Sequence, residues 1–184
     1  MTRKKGHNNK FDNDRARQIR FLKRGAWFCL LAITGNVCVY LLTKGGWLFY
    51  FEIFTARLTG MLLTLSGLQP VLQDNMLRYG ASIWLVDTEC TAINLITVFG
   101  AFILAYPASI KEKSLGIILG LPFIVVANIL RLVAMIWVAA LMPFLTKYFH
   151  DYIWQVVFLI MISFMWLYWI DRFVHHAAEK QVSG

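Results

Sequence analysis

Charge is scarce in this sequence. Aspartate, glutamate, lysine and arginine make up 15% of the 184 residues, against 59% hydrophobic and 15% aromatic. A soluble domain is about 45–50% apolar, so the chain lacks the polar surface that a water-exposed globule needs. Its mean hydropathy of +0.59 places it among membrane proteins, and its length allows one compact domain with a few spans. Cysteine is scarce as well. Three cysteines make no disulfide framework; Cys29 and Cys38 lie in an apolar run, which leaves Cys90 as an isolated thiol. There is no CxxC or HxxxH spacing of the kind that marks a metal site, no internal repeat and no low-complexity linker.

Basic residues are present but unevenly placed. Nine of the eighteen precede residue 25: Arg3, Lys4, Lys5, Lys10, Arg15, Arg17, Arg20, Lys23 and Arg24. Such an arm can serve nucleic acid. Beside an apolar run it reads better as a cytoplasmic retention signal, and no nucleic-acid partner is expected. The run 25–43 is long enough to cross a hydrocarbon core of ~30 Å at ~1.5 Å per residue. The charged region ahead of it is too long for a signal peptide and no small-x-small cleavage site follows, so it reads as an uncleaved span.

Further spans are expected at 90–106, stopped by Pro107, at 114–141, and at 152–170, ending in "WLYWIDR" where aromatics meet the first charges. The expected fold is therefore an all-α integral membrane protein with about four transmembrane helices. Residues 1–24 form a basic arm, 25–170 a single membrane-embedded domain and 171–184 a cytoplasmic tail. The stretch 45–67 is apolar but carries Glu52 and Arg57. Both charges at mid-membrane would cost roughly 5–7 kcal/mol, so a helix over 47–66 lying in the outer interface is preferred. The positive-inside rule agrees. Four spans put thirteen basic residues inside and four outside; a fifth span at 45–67 gives eleven and five. Both termini are then cytoplasmic. Between 69 and 89, turn residues at Asp74-Asn75 and Tyr79-Gly80 and β-formers at 83–86 predict a short extracytoplasmic hairpin.

One residue in "GLPFIVVANILRLVAMIWVAALMP" does not match its neighbours. Arg131 lies ten residues before Leu141, so its Cα is nominally ~15 Å below the outer end of that span, and an arginine head group can snorkel outward. A charge within a span marks a functional site by default. The bland reading is a packing arginine that bonds backbone carbonyls or lipid phosphate. Two other residues converge on the same side. Cys90 stands at the outer start of the span 90–106, with Asn94 and Thr97 continuing along its face. His150, in "YFHDYIWQ", precedes the last span. His7, His175 and His176 fall in tails expected to be cytoplasmic and solvated.

Together Cys90, Arg131 and His150 suit covalent acyl transfer. A thiolate is the nucleophile, and a helix N-terminus, an arginine and a histidine base all favour it. Glu89 pulls the other way, since an adjacent carboxylate raises a thiol pKa. Arg131 can stabilise the oxyanion, and His150 can protonate the leaving amine. Asn94, Asn128 and Trp154, close in sequence to these three, are candidate substrate contacts. Asp87, Glu89, Cys90, His150 and Asp151 compete as metal ligands, but Arg131 would oppose a cation there, and no metal or cofactor is expected.

Those residues carry a resemblance. "VDTECTAINLITVFGAFILAYP" around Cys90, "GLPFIVVANILRLVAMIWVA" with Asn128-x-x-Arg131, and "FHDYIWQ" around His150 resemble the exosortase/archaeosortase family of membrane cysteine transpeptidases over roughly residues 55–170. The short chain and the "AYP" and "HDYIWQ" segments are most similar to the small exosortase H type. One departure is Ala92, where the family commonly has glycine after Cys-Ser/Thr. The resemblance implies exported substrates with a C-terminal motif, a transmembrane helix and a basic tail. They would be cut at the outer face of the bacterial cytoplasmic membrane and held as a thioester on Cys90. An amine-bearing lipid or other surface acceptor would be the resolving nucleophile. Two other readings stay open: a small non-enzymatic assembly or transporter subunit, and an inactive relative that keeps the three side chains.

Overall fold

A computed structural model describes residues 3–80 and 82–175, with side chains at all of these positions except 3–14, 151 and 175. Helix α1 runs from Arg3 to Lys44, so the described part of the basic arm and the first expected span form one helix. It stops at a glycine. Gly46 adopts φ 73°, Trp47 N–H returns to Leu42 O at 3.0 Å and Gly46 N–H to Thr43 O at 3.0 Å, the paired bonds of a Schellman end. Helix α2, Phe49–Leu65, is the helix expected at 47–66 and ends in the same way. Gly67 sits at φ 98°, with Leu68 N–H on Leu63 O at 3.0 Å. The threonines of α2 fit a helix because their hydroxyls bond back one turn, Thr55 to Phe51 O and Thr59 to Thr55 O, each at 2.8 Å. The face bearing Ala56 and Leu63 packs on Leu77, Leu132 and Ile136.

The expected hairpin has a third strand. Strands β1 (Val71–Gln73), β2 (Met76–Tyr79) and β3 (Ser82–Leu85) form an antiparallel meander in the order β1-β2-β3. Both turns use left-handed residues, Asp74 at φ 52° and Gly80 at φ 61°. The second turn returns the chain along β2, which the β-former count over 83–86 did not separate from a simple hairpin.

The expected span 90–106 is also shorter than read. Helix α3 covers Ile93–Ala105, 13 residues, or about 20 Å. Its start is delayed because Asp87 caps a separate 3₁₀ turn, Thr88–Cys90, and Thr91 is extended. Helix α4, Ile110–Leu141, begins four residues earlier than its expected span because Ser109 and Glu112 form a capping box. After Pro143–Leu145 and the single turn α5 (Thr146–Tyr148), a π-helical turn at Phe149–Ile153 leads into α6, Trp154–Trp169, and a second π-helical turn at Ile170–His175. Among the described residues, three helical stretches are long and apolar enough to cross a membrane, Arg15–Lys44, Ile110–Leu141 and Trp154–Val174, with α3 as a shorter apolar helix. The expected tail beyond residue 175 lies outside the described residues.

Packing sets which ends coincide. Phe28 of α1 meets Phe102 of α3 at 6.1 Å between ring centroids, while Gly35 meets Thr97, so the two helices run antiparallel. Trp169 Nε1 donates to Glu112 O at 2.9 Å, which brings the end of α6 to the start of α4. Gly116 and Gly120 let α4 approach closely: a Cβ at either would strike the rings of Trp169 or Phe99. The first half of α1, the α3–α4 loop and the end of α6 thus share one end of the bundle. The sheet, the 88–92 turn and the start of α6 share the other.

Candidate active site

Cys90 closes the 3₁₀ turn ahead of α3, outside the spanning helices. Its N–H donates to Asp87 Oδ1 at 3.0 Å, and its thiol donates to Leu85 O at 3.8 Å. The Thr91 hydroxyl donates to Thr88 O at 2.7 Å and tightens the same turn. From α4, Asn128 Nδ2 donates to Cys90 O at 2.9 Å. Arg131, one turn further on, donates from Nη1 to Asn128 Oδ1 at 3.4 Å, and its Cζ lies 5.6 Å from the Phe158 ring centroid on α6, within cation–π range. Arg131 Nε is buried with no hydrogen-bond partner among the described residues.

Cys90, Arg131 and Phe158 face a cavity of about 900 Å³ walled by β3, the 87–90 turn, α3, α4 and one side of α6 from Trp154 to Trp166. Cys90, Arg131 and His150 all line it, from three separate segments. Asn94 and Trp154 line it too; the Trp154 indole N–H is buried without a partner among the described residues. Asn128 stands elsewhere. It is 2% exposed and lies behind Cys90, its amide committed to the Cys90 carbonyl and to Arg131. Thr97 is turned toward Gly35 of α1 rather than into the cavity. Among the described residues no three His, Cys, Asp or Glu side chains gather where they could hold a metal ion; the side chain of Asp151 lies outside that set.

The electrostatics of the thiol differ from the sequence expectation. Burial pushes Cys90 up to about 11, and the charge of Asp87 is the next cause; Arg131 pulls the other way without prevailing. The resting group is a neutral thiol, not a thiolate favoured by a helix end. The carboxylate responsible is Asp87, whereas Glu89 is exposed. A signal for Asp87 was present, since Asp three residues before the end of a short turn is a capping pattern. Glu52 was missed as part of the site. Its Oε1 accepts from the Thr88 hydroxyl at 2.6 Å and its Oε2 from Asn75 Nδ2 at 3.3 Å, links across 36 and 23 residues that no local pattern announces.

A family model described as transmembrane exosortase (EpsH type) matches residues 16–167. The chain belongs to the transmembrane exosortase family and, with it, to membrane transpeptidases in general. No curated protein and no solved structure matches it.

Proposed function

We propose that this exosortase is a cysteine transpeptidase that cuts the C-terminal sorting signal of exported proteins and passes them on through a thioester at Cys90. The observation that supports it best is a single cavity lined by a thiol, a guanidinium and an imidazole from three segments. The partners are exported proteins with a short motif, a transmembrane helix and a basic tail. An amine-bearing lipid or surface component is the acceptor. The site lies at the outer face of the bacterial cytoplasmic membrane, with both termini inside. Charge supports that orientation: Lys111, Lys113, Arg172 and the basic half of α1 sit at the bundle end away from Cys90, Arg131 and His150.

The raised thiol sets the first step. His150 takes the proton from Cys90 Sγ as sulfur bonds to the scissile carbonyl carbon, and the π pair moves to oxygen. Arg131 stabilises that oxyanion in a water-poor pocket, where such an interaction is large. Collapse breaks the C–N bond, the leaving amine takes the proton from His150, and the thioester remains on Cys90. The acceptor amine then attacks the thioester and restores the thiol. Asn128 holds the nucleophile's backbone rather than substrate.

The substrate segment next to the scissile bond adds to β3. That strand is an edge of the sheet. Val86 N–H donates to Asn75 O at 2.9 Å, so alternation turns the backbone polar groups of Ile83 and Leu85 away from β2. Leu85 O already meets the thiol, so an extended peptide paired there would pass beside Sγ.

Co-expression with a tailed substrate tests the reading. Cys90→Ala leaves the substrate at full length, and Arg131→Lys lowers processing on the order of 100-fold, because an ammonium lacks the planar fork and donor geometry. Normal processing by the Cys90→Ala chain contradicts the proposal. Normal processing by Arg131→Lys removes Arg131 from the chemistry.

A further inference from the structure

Glu52 is the one carboxylate in the apolar stretch 45–67, and the transfer chemistry makes no use of it. It sits in the first turn of α2, where the helix end favours an anion. Each carboxylate oxygen has a distant donor, Thr88 Oγ1 at 2.6 Å and Asn75 Nδ2 at 3.3 Å. Both donors lead toward the thiol. Asn75, at the β1–β2 turn, also donates to Val86 O at 3.1 Å and accepts from Val86 N–H at 2.9 Å, which fixes the end of β3. Thr88 is the first residue of the turn that ends in Cys90, is 8% exposed, and its carbonyl takes both Thr91 donors, Oγ1 at 2.7 Å and N–H at 3.2 Å. One carboxylate therefore clamps both sides of the segment that presents the sulfur.

We propose that Glu52 is a positioning residue for the nucleophile, holding the turn Thr88–Cys90 against the sheet so that the thiol is presented to the cavity. A misfit in the membrane-proximal helix α2 is thereby tied to the site some forty positions later. The inference rests on the reading of Cys90 as nucleophile, but its test needs no substrate.

The probe is N-ethylmaleimide at pH 8, applied to the full chain in its membranes, with modification followed at Cys90 by mass spectrometry. Glu52→Ala and Thr88→Val each break the clamp. The half-buried thiol then becomes more exposed, and its modification rate rises by about threefold or more. Thr88→Ser keeps the hydroxyl and stays within about 1.5-fold of the parent rate, while Glu52→Gln keeps an acceptor oxygen for Thr88 but turns an NH2 donor toward Asn75 Nδ2, so its rate rises by less than that of Glu52→Ala. That rescue separates positioning from loose packing. Parent-like rates in Glu52→Ala and Thr88→Val overturn the proposal, as does a rise in Glu52→Gln equal to that in Glu52→Ala, which would mean charge alone. Should Glu52→Ala fail to accumulate, the Thr88 pair decides. A Cys90→Ala chain that still processes substrate would defeat the transpeptidase reading and leave these rates untouched.

Discussion

Cys90 is both the proposed nucleophile and a suppressed one. Burial and the Asp87 carboxylate hold its thiol near 11, well above the ordinary thiol range. The neutral form dominates at physiological pH, and thiolate fraction rises as pH climbs toward that value. Asp87→Asn keeps a capping oxygen for the Cys90 N–H but removes the charge. The thiol pKa then falls, so alkylation at pH 8 speeds up on the order of threefold to tenfold. An unchanged or slower rate in a kinetic labelling experiment would show that burial alone sets the thiol. The three side chains at the site were legible in sequence because each is chemically out of place: an arginine within a span, an isolated cysteine, a histidine just before a helix. Their supports were not. Asn128 is recognisable as polar, but only its contact with the Cys90 carbonyl shows that it works behind the site. Glu52 looked like a cost of insertion because its two donors come from other elements.

At the scale of elements, what the sequence conveyed depended on whether local chemistry ends a segment. Gly46 and Gly67 close α1 and α2, and Ser109-Glu112 opens α4; these are sequence-local devices. The start of α3 is not local. It depends on Asp87 folding a separate 3₁₀ turn and on Thr91 being extended, which cost the expected span 90–106 its first three residues and gave Cys90 a turn of its own. The third strand was hidden for a related reason, since a four-residue strand of mixed exposure leaves a weak period-two signal. That strand carries a prediction. Ile83→Pro removes an N–H that faces away from β2, where proline is tolerated on an edge. The chain should accumulate normally, yet processing of a co-expressed tailed substrate should fall on the order of tenfold, as loss of one hydrogen bond of ~1–1.5 kcal/mol implies. Ile83→Ala should process as the parent does. Equal activity of the two variants would place the substrate elsewhere.

For the whole molecule, hydropathy and charge identified a membrane protein, and Lys111, Lys113, Arg172 and the basic first half of α1 lie at the bundle end away from Cys90, Arg131 and His150. The packing that brings the three segments together lies beyond periodicity. Gly116 and Gly120 admit Trp169 and Phe99, and α2 closes over α4 with Trp137 Nε1 on Ser66 Oγ at 2.9 Å. The cavity at the junction is large enough for a peptide segment, and its functional groups all come from the end where the helices meet the sheet. The most direct measurement is the intact mass of the chain isolated after brief co-expression with a tailed substrate and acid quench. The expected result is a substrate adduct on Cys90 that hydroxylamine releases and that Cys90→Ala lacks. A processed substrate with no such adduct, or an adduct that persists in Cys90→Ala, would contradict it.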